Sequence, residues 1–130
     1  MWVGASRNAI AIADELVAKA ATGGTVTPRQ GVQLPTTGYA VGQRGIKGQF
    51  HYFEILDWVR RELSAVVAAG HYFGVWFNDG TYYLDVVKIH SELVPACRDA
   101  HERGELAIYD LGGQREIPAA EYVLAQGVEL

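Results

Sequence analysis

Aromatic and acidic side chains that could form a binding surface are concentrated between His71 and Ile89, in the segment HYFGVWFNDGTYYLDVVKI. Trp and Tyr side chains make large, rigid contacts with other molecules, and a carboxylate adds a polar anchor. Trp76, Tyr83 and Asp85 therefore have the chemistry of a binding surface, provided that the fold brings them together. Whether it does depends on how the two halves of this segment pair.

The turn between these halves, Asn78-Asp79-Gly80, predicts a β-hairpin, because Asp-Gly favours the type I′ turn that needs positive φ at both central residues. Side chains alternate along a strand, so this register separates two faces. We assign the first face to the core, with Phe73, Val75, Phe77, Tyr82, Leu84 and Val86. The second face holds Gly74, Val87 and the predicted protein-binding residues, Tyr72, Trp76, Tyr83 and Asp85. Alternatively, an extended arm within residues 1–36 covers this second face, or the side chains of the face simply pack against one another across the strands.

Two basic residues, Arg44 and Lys47, lie in the glycine-rich sequence Gly42-Gln-Arg-Gly-Ile-Lys-Gly48, just before a predicted helix. Glycines allow close approach of the backbone and a helix N-terminus attracts negative charge, so this loop is a candidate anion-binding site. Its spacing matches neither the phosphate-binding P-loop nor the dinucleotide fingerprint. The alternative interpretation is a flexible connecting loop.

Cys97 and His101 are four residues apart on a predicted helix and could supply half of a zinc site or a nucleophile–base pair. A metal site needs further ligands, and the other histidines are scattered without ligand-like spacing. Cys97 also falls on the inward stripe of its helix, which explains it as a small buried apolar residue. No pairing can be deduced for the carboxylates that could act as acid and base, Glu54, Asp79, Asp85 and Asp110. We therefore predict no catalytic residues, no metal and no cofactor.

Three helices are predicted from hydrophobic spacing. Ser6 caps the first, which runs to about Ala21, and the second runs from Gln49 to Ala69. The apolar stripe of the second helix is expected to be Phe53, Leu56, Val59, Leu63, Val66 and Val67. Ser91 caps the third helix, whose inward residues are Leu93, Ala96, Cys97 and Ala100. A further helical turn or two is predicted over residues 119–125.

Short strands are predicted over residues 38–42, 106–110 and 115–117, in addition to the hairpin. Each helix has one apolar stripe to bury, so we expect an α+β fold. In this fold, helices pack on one face of a small, mostly antiparallel sheet. An N-terminal helix and an extended arm precede this sheet in the chain. Residues 1–36 form that helix and a Gly/Thr/Pro-rich arm, and residues 37–130 form the compact α+β domain. The arm packs on another molecule or folds back onto the domain.

Composition limits the classes of protein that fit this chain of 130 residues, 49% hydrophobic and 20% charged with a net charge of −4. The negative charge argues against a nucleic-acid partner. No apolar run approaches the length of a membrane span, and the N-terminal residues lack the order of a signal peptide. The single cysteine, Cys97, fits a reducing compartment, so we expect synthesis in the cytoplasm.

Three segments resemble small proteins encoded by actinobacteria and their tailed phages. The first is GVWFNDGTYYLDVV from Gly74, which resembles their G-x-W-x-D-G-x-x-Y-L-D-V hairpin. The others are AHERGELAIYDL from Ala100, with its A-I-x-D strand, and REIP from Arg115. Thr37-Gly-Tyr-Ala-Val-Gly is similar to their usual first strand, so the resemblance covers roughly residues 37–118. This chain departs from the pattern at Gly104-Glu105, where Asn-Gln is more usual.

This resemblance implies a phage setting, with synthesis in the cytoplasm of a bacterial host, and one compact domain, and it supplies no catalytic residues. We therefore expect a non-enzymatic, phage-type protein that binds another protein or a second copy of itself through its N-terminal helix and arm. Such a protein would be a virion component, either a minor capsid or decoration protein or a tail-associated one. The first alternative is a small nucleotide- or phosphate-binding enzyme domain that uses the loop Gly42–Gly48. The second is a phage accessory factor that modulates the host or its defences.

Overall fold

The computed structural model describes residues 6–119 of the chain. This part contains three helices and one antiparallel sheet of six strands, which confirms the predicted α+β class. The elements are α1 (Ala9–Lys19), β1 (Gly24–Val26), β2 (Tyr39–Gly48), α2 (Tyr52–Ala69), β3 (Tyr72–Asn78), β4 (Thr81–His90), α3 (Leu93–Glu102), β5 (Ala107–Asp110) and β6 (Arg115–Pro118). The strand order is β1-β3-β4-β2-β5-β6. The helix predicted over 119–125 lies outside the described residues after Ala119.

The β3–β4 hairpin has the predicted register. Trp76 pairs with Tyr83, Gly74 with Asp85, and Phe73 with Val86. At the turn, Asp79 and Gly80 have φ values of 51° and 76°, as a type I′ turn requires. The turn chemistry therefore decides which side chains share a face.

The helix starts differ from the predicted ones because neighbouring segments take part in other pairings. The N-cap of α1 is Asn8, whose Oδ1 accepts a hydrogen bond from Ile10 N at 2.8 Å. Ser6, the predicted cap, instead forms a β-bridge with Arg29. The second helix begins at Tyr52 rather than Gln49, with His51 as its N-cap, and Glu54 Oε1 accepts a hydrogen bond from His51 N at 3.0 Å. Similarly, α3 has Glu92 rather than Ser91 at its N-cap.

The chain contacts divide into two compact units, of which the first runs through Leu34 and resumes over Arg44–Val87. Its core comprises Ile12, Ala13, Leu16, Ala20, Val26, Ile55, Leu56, Trp58, Val59, Val66, Phe73, Val75, Leu84 and Val86. Four of these residues belong to α1 or its C-cap, so the first helix folds back onto this unit rather than standing apart. Trp58 and Phe73 meet edge-to-face with ring centroids 5.4 Å apart.

Phe53 was predicted in the apolar stripe of α2, but its side chain is 78% exposed. The buried face of α2 is centred on Ile55 and Val59 and includes Trp58. Phe53 precedes Ile55 by two residues, which is about 200° around a helix. The stripe is therefore rotated from the predicted one, and Phe53 projects away from the core.

Within the described residues, the second unit consists of Pro35–Gln43 and residues 88–119. Its core contains Val41, Ala96, Cys97, Ala100, Ile108, Ile117 and Ala119. The predicted inward face of α3 is confirmed by the complete burial of Ala96, Cys97 and Ala100. Within residues 6–119, no helix combines the length and apolar character that crossing a membrane requires.

Candidate functional site

Trp76 and Tyr83 lie side by side on one face of the hairpin, as the register predicted. Their ring centroids are 5.6 Å apart and the ring planes are inclined by 31°. Trp76 keeps 48% of its surface exposed, although it contacts another ring. An indole held in this way presents an apolar plane and an N–H donor to whatever approaches.

Asp85 lies on the same face, between two glycines of neighbouring strands. Gly74 of β3 is its direct partner across the hairpin. On the other side, a Cβ at Gly45 of β2 would collide with Asp85 Oδ1 and with the carbonyl oxygen of Leu84. The two glycines therefore leave room for the Asp85 side chain.

Tyr72, at the other end of this face, is covered by the N-terminal arm. The Arg29 guanidinium carbon lies 5.5 Å from the centroid of the Tyr72 ring. The same guanidinium donates hydrogen bonds to the carbonyl oxygens of Val67 and His71, at 3.2 and 3.3 Å. Arg29 thereby ties the N-terminal arm to the end of α2 and to the residue just before β3.

The arm also adds a strand that the sequence did not predict. Thr25 of β1 pairs with Gly74 of β3, so β1 runs alongside the first part of the hairpin. The two interpretations of the second face therefore apply to different halves of it. The arm covers the Tyr72 half, whereas Trp76 remains half exposed.

A second aromatic pair, Phe77 and Tyr82, lies on the opposite face near the turn. The ring centroids are 4.7 Å apart and Phe77 is 37% exposed. The prediction that Phe77 is a core residue is therefore wrong, although Phe73, Val75, Leu84 and Val86 on that face are buried. Phe77 is next to the turn residues, which are themselves exposed. The end of the hairpin thus carries aromatic side chains on both faces.

Arg44 and Lys47 do not lie in a loop, because β2 includes the whole sequence Gly42–Gly48. Residues three apart on a strand point to opposite faces, so these two side chains do not converge on one anion. Arg44 also forms an ion pair with Glu62 of α2, with its Nη2 2.7 Å from Oε1. The prediction of a loop over this segment is therefore wrong. The two basic side chains do not have the arrangement that was expected of an anion-binding site.

The Cys97–His101 pair also lacks the geometry of a reactive site. Cys97 is fully buried, and burial raises the pKa of its thiol. His101 is exposed on the same helix. Across residues 6–119, no cluster of three or more His, Cys, Asp or Glu side chains could hold a metal ion.

Sequence reasoning missed a polar cluster around Asp99 of α3. His90 Nε2 lies 2.7 Å from Asp99 Oδ2, Gln43 Nε2 donates to the same oxygen at 3.1 Å, and Arg103 Nε donates to Oδ1 at 2.6 Å. Burial alone would raise the pKa of Asp99, but these hydrogen bonds and the Arg103 charge outweigh it and lower the pKa to about 2. Asp99 is therefore ionised at neutral pH.

His90 also lines a cavity of about 450 Å³ in the second unit, together with Thr37, Tyr39, Ser91 and Asp110. The sequence holds no motif for this arrangement, since Gln43 and Asp99 are 56 residues apart. The only local signal for the cavity is that His90 and Ser91 are adjacent in the sequence, and such a dipeptide is not specific for any kind of site.

Comparison with known proteins finds no family model, no curated protein and no solved structure that matches this chain. Function must therefore be argued from the residues and their geometry.

Proposed function

We propose that this protein acts by binding another protein, with the Trp76–Tyr83 end of the hairpin as a contact surface. The observation that carries the proposal is the 48% exposure of Trp76 in a side chain whose position is set by Tyr83. Tryptophan and tyrosine are the residues most enriched among those that dominate binding energy at protein interfaces. A half-exposed indole on an ordered strand matches that description.

The hairpin is also ordered before any partner arrives. Seven cross-strand pairs connect β3 and β4, from Tyr72–Val87 to Asn78–Thr81. Gly23 of the arm lies near the indole, since a Cβ added there would be 3.6 Å from Trp76 Cδ1. A preorganised surface loses little conformational entropy on binding, so its contacts contribute more fully to affinity.

The outer side of α1 supports a second contact. Ile10 and Val17, two turns apart on one helix face, are 47% and 37% exposed, and Phe53 of α2 is 78% exposed. This supports the expectation that a protein partner or a second copy binds through the N-terminal helix. The inner side of α1 lies in the core, so the proposal concerns its outer side alone.

With the resemblance to phage-encoded proteins, a protein-binding role without catalysis favours a virion component, of the capsid or the tail. The same surface would serve an accessory factor that modulates the host or its defences. The alternative of a nucleotide- or phosphate-binding enzyme has weaker support, because Arg44 and Lys47 lie on opposite faces of β2.

The test is site-specific photo-crosslinking. A benzophenone amino acid replaces Trp76 in one variant and Tyr109, an aromatic residue of β5 that is 41% exposed, in a matched control. Irradiation during phage production should join the Trp76 variant to one defined protein, which mass spectrometry then identifies. A virion protein supports a structural role, and a host protein supports an accessory role. Identical crosslinking patterns from the two positions would contradict the proposed surface.

A further inference from the structure

We propose that the cavity beside His90 binds a small uncharged ring that carries adjacent hydroxyl groups. Such a ring occurs in a monosaccharide and in the ribose of a nucleoside. This site is separate from the proposed protein-binding surface, and no residue of the hairpin end takes part in it. The inference rests on the size of the cavity, its hydrogen-bonding groups and the balance of its charges.

The cavity has the size and lining of a small-molecule site. Its volume of about 450 Å³ lies within the range of ligand pockets in proteins. The residues that line it include Thr37, Tyr39 and Ser91, which carry hydroxyl groups, and Asp110, which carries a carboxylate. Tyr39 also packs against the core of the second unit, so its ring is a fixed surface.

His90 supplies a ring nitrogen whose orientation is set by Asp99. Because ionised Asp99 can only accept a hydrogen bond, the Nε2 atom of His90 carries a proton in their 2.7 Å contact. No hydrogen bond involving the other ring nitrogen, Nδ1, is found among residues 6–119, so Nδ1 can exchange one with a ligand hydroxyl, which both donates and accepts.

The charges around the cavity are paired, which argues against an ionic ligand. Arg103 lies 2.6 Å from Asp99, and Arg115 Nε lies 3.7 Å from Asp110 Oδ2. A phosphate would face the Asp110 carboxylate, and a cation would have to compete with Arg115 for that carboxylate. An uncharged ligand with several hydroxyl groups avoids both costs, since it can donate to Asp110, exchange a hydrogen bond with His90 and accept from the side-chain hydroxyls.

The backbone at one side of the cavity is held in shape by Gly38. Its φ of 113° excludes ordinary side chains, and a Cβ there would lie 2.9 Å from the carbonyl oxygen of His90. Tyr39 and Asp110 are direct cross-strand partners, so their side chains share one face of the sheet. The hydroxyl, the carboxylate and the imidazole are thus positioned before a ligand enters.

The experiment is a titration of the full ¹⁵N-labelled chain, followed by its amide NMR signals. The probes are methyl α-D-glucopyranoside, methyl α-D-galactopyranoside, adenosine and uridine. Inorganic phosphate tests an anionic ligand, and cyclohexanol tests a ring with a single hydroxyl. We expect shifts confined to residues 37–39, 89–91 and 110–112, caused either by the glycosides or by the nucleosides. Whichever of these two groups of probes binds identifies the source of the ring.

Substitutions then assign the shifts to the cavity. His90→Gln and Asp110→Asn should each weaken binding at least about tenfold, as expected for the loss of one good hydrogen bond. The matched controls are His101→Gln on α3 and Glu116→Asn on β6, whose side chains are exposed and outside the cavity. Ser91→Ala provides a second test if His90→Gln does not fold.

Two results would overturn the inference. The first is that neither the two glycosides nor the two nucleosides shift the signals of these amides at concentrations up to about 50 mM. Binding with a dissociation constant in the millimolar range would be detected at that concentration. The second is that phosphate or cyclohexanol moves them as strongly as the hydroxylated rings do. Equal binding by the wild-type protein and both cavity variants would place any ligand elsewhere.

Discussion

Gly45 of β2 lies so close to Asp85 of β4 that no side chain fits between them. The acidic residue of the hairpin therefore depends on a glycine 40 positions earlier in the chain, in a segment that the sequence suggested was a loop. Both residues belong to the first unit, so substituting Gly45 tests how strand packing supports the hairpin face that holds Trp76.

Gly45→Ala should lower the free energy of unfolding by about 1–3 kcal/mol, because the added methyl must displace Asp85 and the backbone at Leu84. Urea denaturation measures this change. The control is Gly112→Ala, where a Cβ would meet its neighbours no closer than 3.7 Å and where φ is not positive. An equal effect at both positions would show that the Gly45 contact is not tight.

Leu16→Ala should cost about 2–5 kcal/mol, because Leu16 is fully buried in the core that α1 shares with α2 and β3. Val17→Ala, the next residue on the same helix but 37% exposed, should cost less than about 1 kcal/mol. Denaturation of both variants at one pH gives the comparison. If Leu16→Ala were as mild as Val17→Ala, the first helix would not be part of the core.

Asp99→Asn should remove a stability contribution that depends on pH. The pKa of Asp99 in the folded protein, about 2, is below the ordinary value of 3.8, so the contribution is complete above pH 4 and is lost as the pH falls towards 2. We expect about 1–2 kcal/mol after allowing for solvent screening around Arg103, which is 43% exposed. Unfolding measured between pH 2 and pH 6 should therefore show a shallower decline for the variant. The control is Asp57→Asn, which removes an exposed surface ion pair with Arg61 and should leave the pH profile unchanged.

Trp76→Ala and Tyr83→Ala should show a coupling free energy of about 0.5–1.5 kcal/mol in a double-mutant cycle, because their rings are in contact. Trp76→Ala alone should cost less than a buried aromatic does, since about half of the side chain is exposed. Equilibrium denaturation of the four proteins provides the measurement. A coupling of zero would mean that Tyr83 does not hold the indole in place, and the surface would lose its preorganisation.

Local chemistry explains which parts of the fold could be predicted. The Asp79-Gly80 turn specified the hairpin register, because few dipeptides accept positive φ at both positions. The end of α2 at Gly70, with φ of 74°, follows in the same way from glycine at the position after a helix. The inward face of α3 was predicted from spacing alone, since helical periodicity needs no knowledge of the partner.

Other parts depended on long-range pairings. The segment Gly42–Gly48 has three glycines and resembles a loop, but it forms part of β2, which lies between β4 and β5 in the sheet. The three residues of β1 are too few to show a pattern, and they form a strand only because the edge of β3 is available to them.

The sequence by itself determined the α+β class, the hairpin register and the Trp76–Tyr83 pairing, because each follows from turn chemistry or from periodicity within a short segment. Only the tertiary structure decided that the arm covers Tyr72 but leaves Trp76 half exposed, that Arg44 and Lys47 diverge, and that His90, Gln43 and Arg103 meet at Asp99. The physical reason is that these relationships depend on which distant segments share a sheet edge or a core. No local preference of the chain carries that information.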